Sequence, residues 1–126
     1  MRDFRKLMVW QKAHQLTLGI YELTANFPRD EVYGLTSQVR RAAASIPANV
    51  AEGCGRDGDT ELARFLRIAM GSANELEYHL ILARDLGYLS PESYESSASS
   101  ASEVKRMLSG LLTRLKADSS KLKADS

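Results

Sequence analysis

The chain has 126 residues, 44% of them hydrophobic and 26% charged, and 17 Lys and Arg stand against 16 Asp and Glu for a net charge of +1. That length holds one domain with a real core but not two, and the balanced charge gives no prior for general polyanion binding. A single cysteine, Cys54, excludes an internal disulfide and a cysteine-based zinc site. No run approaches the roughly 18 uncharged apolar residues of a membrane span, and the opening MRDFRKLMVW lacks the apolar block and cleavage site of a signal peptide. A cytoplasmic protein without a membrane partner is expected.

Between Lys6 and Ala25, Val9, Ala13, Leu16, Ile20 and Leu23 recur at alternating spacings of four and three, with Phe27 in register beyond them. This is a helix; a strand would alternate at two. From Glu31 to Gly53 the pattern repeats as Leu35, Val39, Ala42, Ile46 and Val50. Pro47 falls inside it. Its missing N–H leaves the carbonyl of Ala43 without a donor and its ring presses on that carbonyl, so one helix kinked near Pro47 is expected. Gly53 and Gly55 then offer the positive φ of a C-cap.

After the GCGRDGD turn, Asp59 or Thr60 is the expected cap of a third helix reaching Asp85, with a stripe of Leu62, Leu66, Ala69, Ala73, Leu76, Leu80 and Ala83 and Gly87 as terminator. Ser90 as N-cap and Pro91 at the first helical position start a fourth helix to about Lys116. It buries Tyr94, Ala98, Ala101, Val104, Leu108, Leu111 and Leu115. Serines at 93, 96, 97, 99 and 100 make its first half weak in intrinsic propensity, so packing must hold it. The repeated KADS of residues 119–126 and just before reads as a flexible polar tail on a single domain of residues 1–118.

Four amphipathic helices with short connections predict an all-α, antiparallel up-down four-helix bundle. Apolar surface is left over. Helix one carries a second stripe of Leu7, Trp10, His14, Leu18 and Tyr21, and helix three carries Phe65 and Ile68 outside its narrow core line. Large uncovered apolar surface marks a partner face, and homo-oligomerisation through these residues is expected; the alternative is a broad core with Trp10 and Tyr21 across its edge.

Little points to catalysis. Glu75 and His79 are spaced as an ordinary i,i+4 contact and are too few for a metal site. Cys54 lies at the carbonyl end of a helix, which does not favour a thiolate. The glycine-rich turn lacks Gly-Lys-Ser/Thr and follows a helix rather than a strand. No E-x-x-H motif of a bundle diiron site occurs. The expectation is a protein without enzymatic activity, cofactor, metal or small-molecule substrate.

On helix two, at about 100° per residue, Gln38, Arg41, Ser45, Asn49 and Glu52 gather on one flank of the apolar stripe. They are expected to form a polar seam against helix three or a neighbouring subunit, with Arg41 compensated by a glutamate. A role in ligand binding is the alternative. Basic residues cluster as Arg2, Arg5 and Lys6, as Arg40 and Arg41, and as Arg114, Lys116, Lys121 and Lys123. In an up-down bundle the first and last of these share a pole, which is the physical case for a nucleic-acid surface.

The strings FRKLMVWQKAHQL, FPRDEVYGLTSQVRRAAASIPANVAEG and FLRIAMGSANELEYHLILARDLGYL resemble the four-helix bundle proteins encoded in intervening sequences of bacterial 23S ribosomal RNA genes. The family's Gln-x-Arg-Arg-Ala and Ser-Ile-Pro-x-Asn-x-Ala-Glu-Gly pattern falls on residues 38–42 and 45–53, and its Gly-Ser-x-x-Glu-Leu pattern falls on residues 71–76, which implies that Ser72 and Glu75 belong to the seam. The resemblance implies a homo-oligomer, by likeness a ring-like pentamer, and no established enzymatic activity. A related branch, the accessory variability determinant proteins of diversity-generating retroelements, implies RNA, DNA or a reverse transcriptase as partner. An interaction module that binds only protein is the alternative function.

Overall fold

The computed structural model describes the backbone of residues 2–125 and the side chains of residues 2–118. Four helices, α1 (Met8–Thr24), α2 (Leu35–Cys54), α3 (Asp59–Asp85) and α4 (Pro91–Asp125), run alternately up and down. Each packs on the next, and α4 returns against α1. The contact between α2 and α3 is the most extensive. Every stripe residue named for α2 and α3 is buried, as are Val9, Ala13, Leu16 and Ile20 of α1 and Ala101, Val104, Leu108 and Leu115 of α4. Each fully buried Leu or Ile contributes about 2 kcal/mol to this core.

The ends of the elements differ from the expected ones for local reasons. Short 3-10 turns over Phe4–Lys6 and Arg29–Glu31 delay α1 and α2. Glu31 bends its carboxylate back to accept the backbone N–H of Leu35 at 3.1 Å, which satisfies one open donor of α2. A Cβ at Gly34 would lie 2.7 Å from that same oxygen. Gly53 and Gly55 do not form a positive-φ cap, since Gly53 is inside α2 and Gly55 has φ −83°. Positive φ occurs instead at Gly58, which is the N-cap of α3 in place of Asp59 or Thr60. Gly53 serves close approach: a Cβ there would lie 2.9 Å from Phe65 Cβ and 3.0 Å from a methyl of Leu62.

The third connection follows the sequence closely. Gly87 takes φ +81°, Tyr88 N–H donates to Ala83 and Gly87 N–H to Arg84, the paired bonds of a Schellman stop. Ser90 caps α4 by accepting the N–H of Ser93 at 3.1 Å. The backbone of α4 stays helical to Asp125, past the expected end at Lys116.

Pro47 does not interrupt α2. The hydroxyl of Thr17 on α1 lies 3.1 Å from the Ala43 carbonyl and 2.8 Å from that of Ala13, so a neighbouring helix supplies the donor the proline removes.

Candidate functional site

The α2–α3 flank contains part of the expected polar seam. Asn49 donates its amide to the carbonyl and hydroxyl oxygens of Ser45, at 2.8 and 3.0 Å, and Ser45 Oγ lies 2.8 Å from Ser72 Oγ. These three half-buried groups tie the two helices in register. The remaining seam residues are not joined to them. Gln38, Arg41, Glu52 and Glu75 are exposed. Arg41 has no carboxylate partner among the described residues, and Glu52 pairs with Arg56 one turn further on, at 2.8 Å. The Glu75–His79 contact is also absent: His79 leans on the Tyr78 ring at 5.9 Å, and its buried Nδ1 has no hydrogen-bond partner.

The apolar residues expected at an interface divide into two groups. Leu18, Tyr21 and Ile68 remain 48%, 44% and 42% exposed, which leaves them available to a partner. Leu7, Trp10 and His14 are half-buried; Trp10 stacks flat on His14 and meets Phe4 edge-on, both at 5.0 Å. Phe65 is a correction. It is only 8% exposed, because α2 approaches at Gly53 and the guanidinium groups of Arg64 and Arg56 cover its ring at 4.4 and 5.3 Å.

The basic residues also separate. Arg40 donates to Thr24 Oγ1 at 2.8 Å and to the Tyr21 carbonyl at 3.2 Å while stacking over the Tyr21 ring, so it closes the C-terminal turn of α1. Arg2 binds Asp59 at 3.0 Å and donates its N–H to the Cys54 carbonyl. Arg5 binds Asp3, whose carboxyl is held below its usual range first by the Arg5 backbone N–H. Lys6, Arg114 and Lys116 are exposed without an ion pair among the described residues. Leu7 and Met8 line one pocket with Met107 and Arg114, so the start of α1 and the later part of α4 do share a pole. Lys121 and Lys123 lie outside the residues whose side chains are described.

Two features were not foreseen from the sequence. Tyr88 donates its hydroxyl to Glu31 at 2.9 Å and packs on Phe27, joining the α1–α2 and α3–α4 connections at the opposite pole. The carboxylate acceptor, then burial, push the phenol above its usual range. The second feature is a groove along the α1–α4 seam. Burial raises the Cys54 thiol above its normal value. Among the described residues no group of three or more His, Cys, Asp or Glu is placed to hold a metal ion, and no helix is long and apolar enough to cross a membrane.

The model of the 23S rRNA-intervening sequence protein family matches residues 5–110, a span that includes the seam, the pole joined by Glu31 and Tyr88, and the Pro47 segment. The chain belongs to that family. Among solved structures it is similar to a protein of unknown function from the S23 ribosomal protein family of Bacteroides thetaiotaomicron. The two are 27% identical with a TM-score of 0.76, over 83% of this chain and 98% of that one. A search of curated proteins gives no match.

Proposed function

We propose that this member of the 23S rRNA-intervening sequence protein family is a non-enzymatic scaffold that assembles with copies of itself, by family likeness as a ring-like pentamer, and presents basic residues to RNA or another nucleic acid. The observation that carries the reading is the pair of uncovered apolar flanks on either side of α2. Leu18 and Tyr21 lie on the α1 side, where Arg40 reaches Tyr21. Ile68 lies on the α3 side, one turn from the Ser72 that bonds Ser45. Covering such residues in a symmetric assembly removes apolar surface from water at each repeat. The same assembly would repeat the pole of Lys6, Arg114 and Lys116 around its axis, which is how a chain of net charge +1 concentrates cations.

Sedimentation velocity tests the assembly. The wild type runs as an oligomer, and Leu18→Glu with Ile68→Glu runs as a folded monomer; a wild-type monomer at high concentration overturns the reading. Mobility shift with a structured RNA tests the second part. Binding that weakens with salt and is lost in Arg114→Glu with Lys116→Glu supports it. Unchanged migration at low salt removes it and leaves a protein-only interaction module. That second reading is favoured by the intramolecular partners of Arg2, Arg5 and Arg40, and its own test is a protein complex that resists nuclease.

A further inference from the structure

Small residues occur at two helix seams with opposite consequences. Between α2 and α3, the missing side chain of Gly53 is filled by Phe65 and Leu62. Between α1 and α4, a Cβ at Gly19 would meet no atom within 4 Å. The facing wall of α4 is Ser93, Ser97 and Ser100, whose side chains are too short to reach across. The result is an open groove of about 610 Å³ with Leu16, Ile20 and Val104 beneath it. Its α1 wall extends from Lys12 to Leu23, about 17 Å at the helical rise, or three turns. A straight channel between two helices with short side chains lets a third helix approach closely.

The rim has a definite sign. Glu22, Glu92 and Glu103 edge the groove against one cation, Lys12. Lys12 pairs with Glu103 at 3.5 Å, and Glu22 and Glu92 have no ion pair among the described residues. Three carboxylates against one ammonium leave the rim net negative on a chain whose total charge is +1. Phosphate is repelled by that edge, and a cationic segment is attracted.

We infer that the α1–α4 groove is a docking site for an amphipathic helix of a partner protein, about three turns long, with a narrow apolar ridge flanked by Lys or Arg. The ridge seats above Leu16, Ile20 and Val104 between Gly19 and the serine wall, and the flanking cations meet Glu22 and Glu92. The groove is lined by neither Leu18 nor Tyr21, so the inference does not depend on the self-assembly proposed above.

The test pans a library of helix-forming 14-residue peptides on the full-length protein. Enriched sequences are expected to carry apolar residues at i, i+4 and i+7 with Lys or Arg beside them. Their affinity should fall at least tenfold in Gly19→Leu with Ser97→Leu, which fills the groove, and likewise in Glu22→Lys with Glu92→Lys, which keeps its shape. Circular dichroism and the unfolding midpoint establish that each variant is folded, and the charge variant decides the matter if the filled one is not. No enrichment, enrichment of acidic peptides, or binding that survives both variants overturns the inference. A loss of sedimentation mass on filling the groove also overturns it, by assigning the groove to a second copy of the chain.

Discussion

Thr17 Oγ1 lies 3.1 Å from the carbonyl oxygen of Ala43, the acceptor that Pro47, four residues on, leaves without an intrahelical donor. The pair is buried, and the single hydroxyl proton is shared with the Ala13 carbonyl at 2.8 Å. Thr17→Val keeps the shape and removes the donor, so it should cost about 1–3 kcal/mol in urea unfolding. Pro47→Ala restores a backbone N–H to Ala43, and in that background Thr17→Val should cost about 1 kcal/mol less. Additive losses would show that the hydroxyl acts only through Ala13.

The glycines separate by what surrounds them. Gly53→Ala should destabilise by about 1–2 kcal/mol, since overpacking against Phe65 and Leu62 outweighs the gain in helix propensity. Gly71→Ala and Gly110→Ala, where a Cβ meets nothing within 4 Å, should each stabilise by about 0.5–1 kcal/mol. Chemical denaturation of the three variants reads the change of sign directly.

Alkaline pH should uncouple Tyr88 from Glu31. The phenol's folded value lies above its unfolded one because it donates to a carboxylate. Its contribution is therefore complete below about pH 10, the unfolded value, and is lost as pH rises through the higher folded value. Tyr88→Phe should melt below the wild type at neutral pH, with the gap in Tm closing in strongly alkaline buffer. A gap independent of pH would place the loss in the ring's packing on Phe27.

Cys54 is 2% exposed and its thiol is shifted upward by burial. At pH 8 it should react with Ellman's reagent about 100-fold more slowly in the native protein than in urea, because the reagent needs both exposure and the thiolate. A rapid native reaction would indicate local opening at the end of α2.

The bundle was legible because period and burial coincide: each stripe residue of α2 and α3 is buried, and the punctuation at Gly87, Ser90 and Pro91 acts as expected. The caps around Gly53–Gly58 were less legible. A glycine serves positive φ or close approach, and only the position of Phe65 on the next helix decides which. The seam was half visible for a similar reason. A helical wheel gathers Gln38, Arg41, Ser45, Asn49 and Glu52 on one flank, but depth depends on the neighbour, and Ser72 reaches only the middle of the row. Pro47 announced an orphaned carbonyl at Ala43 without naming its donor, since Thr17 is 26 residues away on another helix. The groove had a trace, the serines of α4, that propensity alone explained as weakness rather than as missing bulk.

The pole joined by Glu31 and Tyr88 commits two of the three connections to fixed lengths, since Phe27 and Leu89 are also buried there. The link between α2 and α3 is freer at its tip, where Arg56, Asp57 and Gly58 are exposed. Lengthening a solvated turn carries only a slowly growing entropic penalty. A peptide epitope or fluorescent reporter grafted between Asp57 and Gly58 should therefore be tolerated, whereas the same insert beside Tyr88 would pull both hairpins apart.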